Sequence, residues 1–562
     1  MSSIRVSIAQ INTSVGDLEA NQSKIISYIE KARQNKSDVI IFPELTVTGY
    51  PPEDLLHKPY FVDQNMASAE KIAEATKDIC AVYGFVESQN GLYNSAAIAH
   101  NGKLISTYQK QLLPNYGVFD EKRYFTHGEN AKIYRLSGVN IGINICEDIW
   151  SHSGPIKEQS DSGVELILNI NASPYHVNKQ FERTTMLSRR AKDNNVHIVY
   201  VNMVGGQDEL VFDGGSVVLD PKGGTLHGGH LFMEMLETYD LDITTKNQVN
   251  TPNIERIFIS EKSDGITSEI NSAPTARPME EIEEIYNALV LGTRDYVLKC
   301  GFKKVLIALS GGIDSSLVAA IAAKALGPEN VIGLSLPSMF SSDGSKSDAK
   351  ELSENLGLDL RTIEINPIFE SFTASLSNEF IGTEWDATEE NIQSRIRGNL
   401  VMAMSNKFNW LVLTTGNKSE MAVGYATIYG DMAGGFSVIK DVPKSTVYEL
   451  CDYINRSEID PIIPPTVINK PPSAELRPDQ KDSDSLPDYS ILDPILQMYI
   501  EEDMSIESIV NEGFTRSIVS EIIKLVDRNE YKRRQSAPGV KITSKNFGRD
   551  RRMPISNRFK SY

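Results

Sequence analysis

Residues 303–326 read KKVLIALSGGIDSSLVAAIAAKAL. Val305–Leu309 is a short apolar run rich in branched residues, the look of a strand buried on both faces. It runs into Ser310-Gly311-Gly312-Ile313-Asp314-Ser315-Ser316 and then into an alanine-rich helical segment. A strand that turns through glycines into a helix brings backbone N–H groups and the positive end of the helix dipole to one point, which makes an anion cradle. The glycines let the main chain approach an anion closely, and Ser310, Ser315 and Ser316 add hydroxyl donors. Asp314 would repel a bare phosphate, so its place suits Mg2+, a hard cation that bridges phosphates. A helix cap on a glycine turn is the plainer alternative. The pattern G-x-x-x-x-G-K-[ST] does not occur here, so this is a different phosphate loop.

Working outward, strand-like runs follow at Val331–Leu336, Leu360–Ile365 and Trp410–Thr414, with helical stretches between them and a helical pattern opening near Met279. That alternation predicts a mostly parallel, doubly wound sheet. Pro464–Pro487 is rich in Pro, Asp and Ser and predicts a long irregular loop of the kind that forms lids. Upstream, Ser260–Pro278 (SEKSDGITSEINSAPTARP) is polar and aperiodic and reads as a linker. A chain of 562 residues is too long for one ordinary core. The expected division is a first domain over 1–259, a linker over 260–278 and a second domain over 279–562.

The first half also alternates. Strand-like runs lie at Ile4–Ile11, Val39–Phe42, Ala81–Val86, Val139–Ile145, Val164–Ile170 and Val196–Val201, with amphipathic stretches at Glu19–Arg33 and Lys179–Lys192. Three segments place reactive side chains just after apolar runs. VIIFPELTVTGYPPEDLL carries Glu44, YQKQLLPNYGVFDEKRYF carries Lys110 and Glu121, and VNIGINICEDIW carries Cys146. A strand ending in a small reactive side chain presents a nucleophile at a turn. A thiol reacts as thiolate and needs a base or a cation beside it. A glutamate can take the proton, and a lysine can stabilise both thiolate and oxyanion. Taken singly, each is more simply a surface carboxylate, a solvated lysine or a core cysteine.

The formal net charge of −19 repels phosphate backbones and argues against a nucleic-acid partner. The four cysteines, Cys80, Cys146, Cys300 and Cys451, form no CxxC pair, so neither a zinc site nor a disulfide framework is expected. No apolar run reaches 18 residues, and the opening MSSIRVSIAQINTS does not read as a targeting segment; no membrane partner and a cytoplasmic setting are expected. All eight histidines lie at or before His230, so chemistry in the second half must use carboxylates, lysines, arginines, hydroxyls and backbone groups.

Together, the first-half segments resemble the carbon–nitrogen hydrolase (nitrilase) superfamily over most of residues 1–260. The resemblance implies an α-β-β-α sandwich with Glu44 as general base, Lys110 as stabiliser of oxyanion and thiolate, Cys146 as nucleophile and Glu121 as an additional glutamate. NASPYHVNKQFER resembles that family's substrate-binding turn, which makes Ser173 and Lys179, with Tyr116 and Glu121, candidates to hold glutamine. SGGIDSS resembles the PP-loop of ATP pyrophosphatases. Behind it, NIQSRIRGNL, LTTGNKSEMAVGYATIYGD, GGFSVIKDVPKSTVYEL, NKPPSAELRPDQKDSDSLPDY and NEYKRRQSAPGVKI follow in an order that resembles NAD+ synthetases. Fused to a nitrilase-type domain, the set looks like the glutamine-dependent members of that family.

That resemblance implies ATP contacts from Ser310, Gly311, Gly312, Ile313, Asp314, Ser315, Ser316, Thr415, Lys444 and Ser473. It implies deamido-NAD+ contacts from Asn391, Arg395, Glu420, Tyr531 and Lys532, Mg2+ near Asp314 and Glu420, and a homo-oligomer. The chain departs from the ammonia-only members in ATIYGDMAGGF, where Ile428 and Gly435 stand in place of a Lys and an Asp. The implied reaction is ATP-driven amidation of deamido-NAD+ with ammonia released from glutamine. Two other readings stay open at this point: a different PP-loop amidating or thiolating ligase, and a nucleotide sensor without catalysis.

Overall fold

The computed structural model describes residues 2–244, 246, 254–261, 277–478, 480–484 and 486–560. The chain forms two compact units, Met1–Gln207 with Val211–Met279, and Asp208–Leu210 with Glu280–Tyr562. Most of the expected linker, residues 262–276, lies outside the described residues.

The first unit is built on two mixed sheets. One has six strands in the order Met235–Ile243, Ser2–Gln10, Val39–Ile41, Cys80–Ser88, Leu92–His100 and Lys103–Gln109. The other has seven, in the order Thr225–Gly228, Val217–Leu219, His197–Asn202, Leu166–Asn171, Val139–Ile145, Lys132–Leu136 and Glu255–Phe258. The two-residue period of a strand decides the layering. Val39 and Ile41 pack with Ile141, Ile143, Leu168 and Val199 in the core between the sheets. Their neighbours Ile40 and Phe42 face the other way, onto Ile25, Ile29 and Ile72 of the helices Leu18–Gln34 and Pro59–Glu74. The second sheet does the same with Ile167, Ile198 and Tyr200 against Ile156, Leu187 and Ala191 of the helices Pro155–Asp161 and Lys179–Asn194. The result is the expected helix–sheet–sheet–helix sandwich.

The second unit carries a five-stranded, all-parallel sheet in the order Asp359–Thr362, Val331–Ser335, Val305–Ala308, Leu411–Thr414 and Phe436–Ser437. Chain order reverses beside Val305–Ala308, and at such a switch point the crevice beyond the strand ends binds ligands. The serine–glycine loop leaves the sheet there and opens the helix Ile313–Leu326, which is buried along most of its length.

One expectation needs correcting. Pro464–Pro487 is not irregular throughout: Pro465–Asn469 is a short helix and Asp482–Asp484 a single tight turn. Prolines at the start of a helix cost nothing, because their missing N–H has no partner there anyway, so a Pro-rich stretch can begin one. Residues 479 and 485 of this stretch lie outside the described residues.

Candidate functional sites

In the first unit the structure gathers the three reactive segments into one buried cluster. Glu44, Lys110, Glu121 and Cys146 are each at most 4% exposed. Lys110 Nζ donates to Glu44 Oε1 at 2.7 Å and to Glu121 Oε1 at 2.9 Å. Glu44 is fixed further by Asn94 Nδ2, which donates to Oε1 at 2.7 Å, and by the Ala172 N–H, which donates to Oε2 at 3.0 Å. Tyr50 Oη donates to Glu121 Oε1 at 3.0 Å. Cys146 sits on a sharp turn directly after the strand Val139–Ile145, with φ +43°. A non-glycine residue in that region carries backbone strain, which collects at functional turns.

The electrostatics follow from burial and these contacts. Burial pushes the Cys146 thiol well above its ordinary value; Glu44 adds to this and Lys110 opposes it. The thiol is therefore protonated at rest and needs a base as it reacts. Burial works against the Lys110 ammonium, but Glu121, Glu44 and Cys146 outweigh it and hold its pKa well up. Lys110 remains a cation within the cluster. Burial lifts Glu121 to about 7, with Lys110 opposing and Glu44 adding.

Of the four expected glutamine contacts, Glu121 belongs to the cluster itself. Tyr116 is exposed, and its Oη donates to Glu147 Oε2 at 2.9 Å. Lys179 opens its helix, lies 4.4 Å over the Trp150 ring and pairs with Glu182 at 3.5 Å. Burial and the charge of Arg183 lower its pKa. Ser173 is buried, with its N–H donating to Asn202 Oδ1 at 2.8 Å. Sequence reasoning missed Asn94, Tyr50 and the buried Arg183–Asp213 pair at 2.8 Å. Tyr50 lies in the same quoted segment as Glu44; Asn94 sits in LYNSAAIAH, too polar and small-sided to read as a buried strand.

In the second unit a cavity of about 310 Å³ opens at the strand ends. Of the residues expected to hold ATP, Ser310, Gly312, Ile313, Asp314, Ser315, Thr415, Lys444 and Ser473 line it, as does Glu420; Gly311 and Ser316 do not. Both of those shape the loop instead. Ser316 Oγ donates to the Gly312 carbonyl at 2.9 Å, and Gly311 has φ +76° with the Ser345 carbonyl filling the place a Cβ would take. Gly311→Ala should therefore displace the loop. A displacement near 1 Å costs about 100-fold in rate. The ammonium-driven synthesis that the resemblance implies should fall by that order while the implied glutamine hydrolysis stays level, as a paired assay would show.

Lys444 Nζ bonds Asp314 Oδ2 and stands 3.7 Å from Glu420 Oε1, while Asn417 Nδ2 donates to Asp314 Oδ1 at 2.9 Å. Burial raises Glu420 to about 8, with Asp314 and Asp482 adding and Lys444 opposing. Ser473 lies on the segment after the short helix. There Glu475 accepts from Ser342 Oγ at 2.9 Å and Ser345 Oγ at 2.7 Å and pairs with Lys470 at 3.2 Å, which straps the segment along the cavity. Arg397, given no role from the sequence, also lines the cavity; its Nε donates to the Leu336 carbonyl at 2.9 Å. Burial pulls its pKa down to about 10, with Glu475 opposing.

The residues expected to hold the dinucleotide divide. Glu420 is in the cavity, while Asn391, Arg395, Tyr531 and Lys532 are not among its lining. Three of the four gather around the loop after Gly424. Asn391 Oδ1 accepts from Thr427 Oγ1 at 2.7 Å, Arg395 Nε donates to the Ile428 carbonyl at 3.4 Å, and Lys532 Nζ donates to the carbonyls of Gly424 and Ala426 at 2.8 and 2.9 Å. Tyr531 is 45% exposed. Among the described residues, no group of three or more His, Cys, Asp or Glu side chains could hold a metal by itself. No helix among them is long and apolar enough to cross a membrane.

The carbon-nitrogen hydrolase family matches residues 5–249 and the NAD synthase family residues 285–536. The glutamine-dependent NAD(+) synthetase of Thermotoga maritima is 47% identical over the full length of both chains, and that of Aquifex aeolicus is 46% identical over 99% of this chain and all of its own. The solved structure of the Acinetobacter baumannii glutamine-dependent NAD+ synthetase, in complex with ADP, is 42% identical over 99% of both chains with a TM-score of 0.77. Two domain families in this order, with relatives aligned end to end, place the chain in the glutamine-dependent NAD(+) synthetase family.

Proposed function

We propose that the chain amidates deamido-NAD+ to NAD+ at the expense of ATP, with ammonia that its first unit takes from glutamine. The observation that carries this is the pair of reaction centres in one family-matched chain: the buried Glu44–Lys110–Cys146 cluster and the cavity at the serine–glycine loop. Full-length relatives named for this activity favour it over another PP-loop ligase or a silent sensor.

In the first unit Glu44 takes the thiol proton as Cys146 Sγ attacks the side-chain amide carbon of glutamine. Lys110 holds the oxyanion, and its bonds to Glu44 and Glu121 keep it in place beforehand, so little reorganisation accompanies reaction. Ammonia leaves with the proton returned by Glu44, and water then releases glutamate from the thioester. Ser173, Lys179 and Tyr116 are the groups assigned to the amino-acid end of glutamine.

In the second unit the loop residues 310–316, with Thr415, Lys444 and Ser473, would hold ATP. The nicotinate carboxylate of deamido-NAD+ attacks the α-phosphorus, pyrophosphate departs, and ammonia displaces AMP from the acyl-adenylate. With no histidine in this half of the chain, and Ser310, Asp314, Lys444 and Glu420 among the cavity's polar groups, this is catalysis by positioning and charge neutralisation. Mg2+ fits the donor set: Asp314 and Glu420 are the two carboxylates that would hold it, and it would neutralise phosphate charge there. Asn391, Arg395, Glu420, Tyr531 and Lys532 are assigned to deamido-NAD+, and a homo-oligomeric, cytoplasmic enzyme belongs to the same reading.

Incubation with ATP, deamido-NAD+ and glutamine should yield AMP, NAD+ and glutamate in equal amounts. AMP formed only with a different carboxylic acid would point to another ligase, and no AMP with any would point to a sensor.

A further inference from the structure

A buried carboxylate in the first unit takes no part in the steps above. Asp148 is fully buried, and four donors converge on it. Tyr108 Oη donates to Oδ2 at 2.9 Å and the Ile145 N–H to Oδ2 at 3.1 Å. The Leu112 N–H donates to Oδ1 at 2.8 Å and the Gln111 N–H to Oδ1 at 3.1 Å. These donors flank the reacting side chains: Tyr108, Gln111 and Leu112 bracket Lys110, and Ile145 immediately precedes Cys146.

We propose that Asp148 is a positioning residue for the thiol chemistry, its carboxylate tying the chain around Lys110 to the Cys146 turn so that ammonium and thiol keep their mutual placement. The proposal rests on the reading of Cys146 as nucleophile. Two observations support it. An ionised carboxylate only accepts hydrogen bonds, so it satisfies four donors at once, whereas an amide would turn an NH2 toward some of them. The positive φ at Cys146 is strained backbone and persists only where neighbours over-determine it. Asp148, two residues on, bonds the N–H just before that turn.

The arrangement has a pH signature. Burial raises Asp148 to about 6, while the bonds from Leu112, Ile145 and Tyr108 and the charge of Lys110 oppose this. The other charges nearby are Glu44 and Glu121, both on Lys110, and Glu147, which accepts from Tyr116. The competent form is the carboxylate, so competence is lost as pH falls through about 6. Tyr108→Phe removes a bond that favours the carboxylate, raises the Asp148 pKa and moves the acid limb to higher pH. Glu121, near 7, also titrates, but its hydrogen-bond partners are Lys110 and Tyr50, so its share is the same in both proteins.

The test uses the full chain. The rate of Cys146 alkylation by iodoacetamide, followed by mass spectrometry of its peptide, and the kcat and KM for glutamine hydrolysis are measured from acid to alkaline pH. Asp148→Asn should slow alkylation and kcat together by about 100-fold, the effect of a misplacement near 1 Å. KM should change little, and an unchanged thermal unfolding transition of the first unit shows that the variant is folded. If that variant does not fold, the upward shift of the acid limb in Tyr108→Phe decides. Wild-type alkylation and kcat in Asp148→Asn, or a Tyr108→Phe acid limb that superposes on the wild type, would overturn the proposal. Glutamine hydrolysis surviving in Cys146→Ala would instead overturn the nucleophile reading beneath it.

Discussion

Cys146→Ala loses glutamine hydrolysis by at least about 10⁴-fold while NAD+ formation from added ammonium salt stays near the wild-type rate. The size follows from the role proposed for Cys146, whose sulfur would form the covalent bond; losses of this order accompany removal of a nucleophile acting as part of a unit. The selectivity follows from placement, because Cys146 and the serine–glycine loop belong to different compact units with separate cores. The substitution itself is mild. Cys146 is one member of a large inter-sheet cluster, so loss of a single sulfur leaves a small void, worth about 1 kcal/mol or little more. The backbone is the subtler concern, since alanine must also adopt φ +43° there. Cys146→Ser controls for that: it keeps the shape but not the nucleophilicity, and it should be as inactive with glutamine. The readouts are glutamate release and NAD+ yield with each nitrogen source. Equal loss of both activities in a protein whose unfolding transition is unchanged would end the division of labour between the units.

How much of this was legible in the sequence differs between the two units for a physical reason. Parallel strands covered on both faces must be apolar along their length, and Val305–Leu309, Val331–Leu336 and Trp410–Thr414 announced themselves within a residue or so. In the first unit Val39–Phe42 and Val139–Ile145 were legible for the same reason. Leu92–His100 and Lys103–Gln109 were not, because antiparallel strands near a sheet edge tolerate Asn, Ser, Thr and Lys. Those silent strands carry Asn94 and lead into Lys110, so half of the setting of the thiol cluster was hidden although Glu44, Lys110, Glu121 and Cys146 were in view. In the second unit the loop, Thr415, Lys444 and Glu420 could be named because they sit in motifs that follow in one order, and the fold brings most of them to one cavity. Arg397 stood in one of the quoted motifs but read as solvated as readily as functional, and Glu475, a glutamate on a polar segment, looks solvated until the fold buries it. Asp148 was invisible for a related reason, since its partners are mostly backbone N–H groups, and these leave no mark in a sequence.

Asp314→Ala is expected to abolish synthesis with glutamine and with ammonium alike, by about 10³-fold or more, and to leave glutamine hydrolysis intact. A carboxylate that would hold a Mg2+ ion against phosphate charge supports a term worth several kcal/mol in the transition state, and each ~1.36 kcal/mol is tenfold in rate. A competing account is that Asp314 is only a favourable charge in the first turn of Ile313–Leu326, worth about 0.3–1 kcal/mol. Asp314→Asn separates the two, because it keeps the shape and a hydrogen-bonding side chain beside Asn417 but removes the charge. The first-turn account predicts nearly normal synthesis in Asp314→Asn; the charge account predicts a loss close to that of alanine. A third effect must be subtracted. Lys444 is buried against Asp314, and loss of its partner leaves an ammonium with Glu420 at 3.7 Å. Removing one member of a buried pair costs about 3–5 kcal/mol of stability, so thermal unfolding has to be measured beside the rates. Glu420 supplies a readout independent of activity. Its pKa near 8 is held up by burial first and by Asp314 next, so removing the Asp314 charge must lower it. At pH 7 wild-type Glu420 is mostly protonated, and it ionises as pH rises through about 8. If Asp314 and Glu420 together hold Mg2+, then binding the ion to the wild-type protein with a non-hydrolysable ATP analogue should release a proton at pH 7. That release should fade as pH passes 8 and be much smaller in Asp314→Asn. Calorimetry in buffers of different ionisation enthalpy measures it, and a proton release unchanged by the substitution would separate Glu420 from Asp314 and leave the pair without a shared ion.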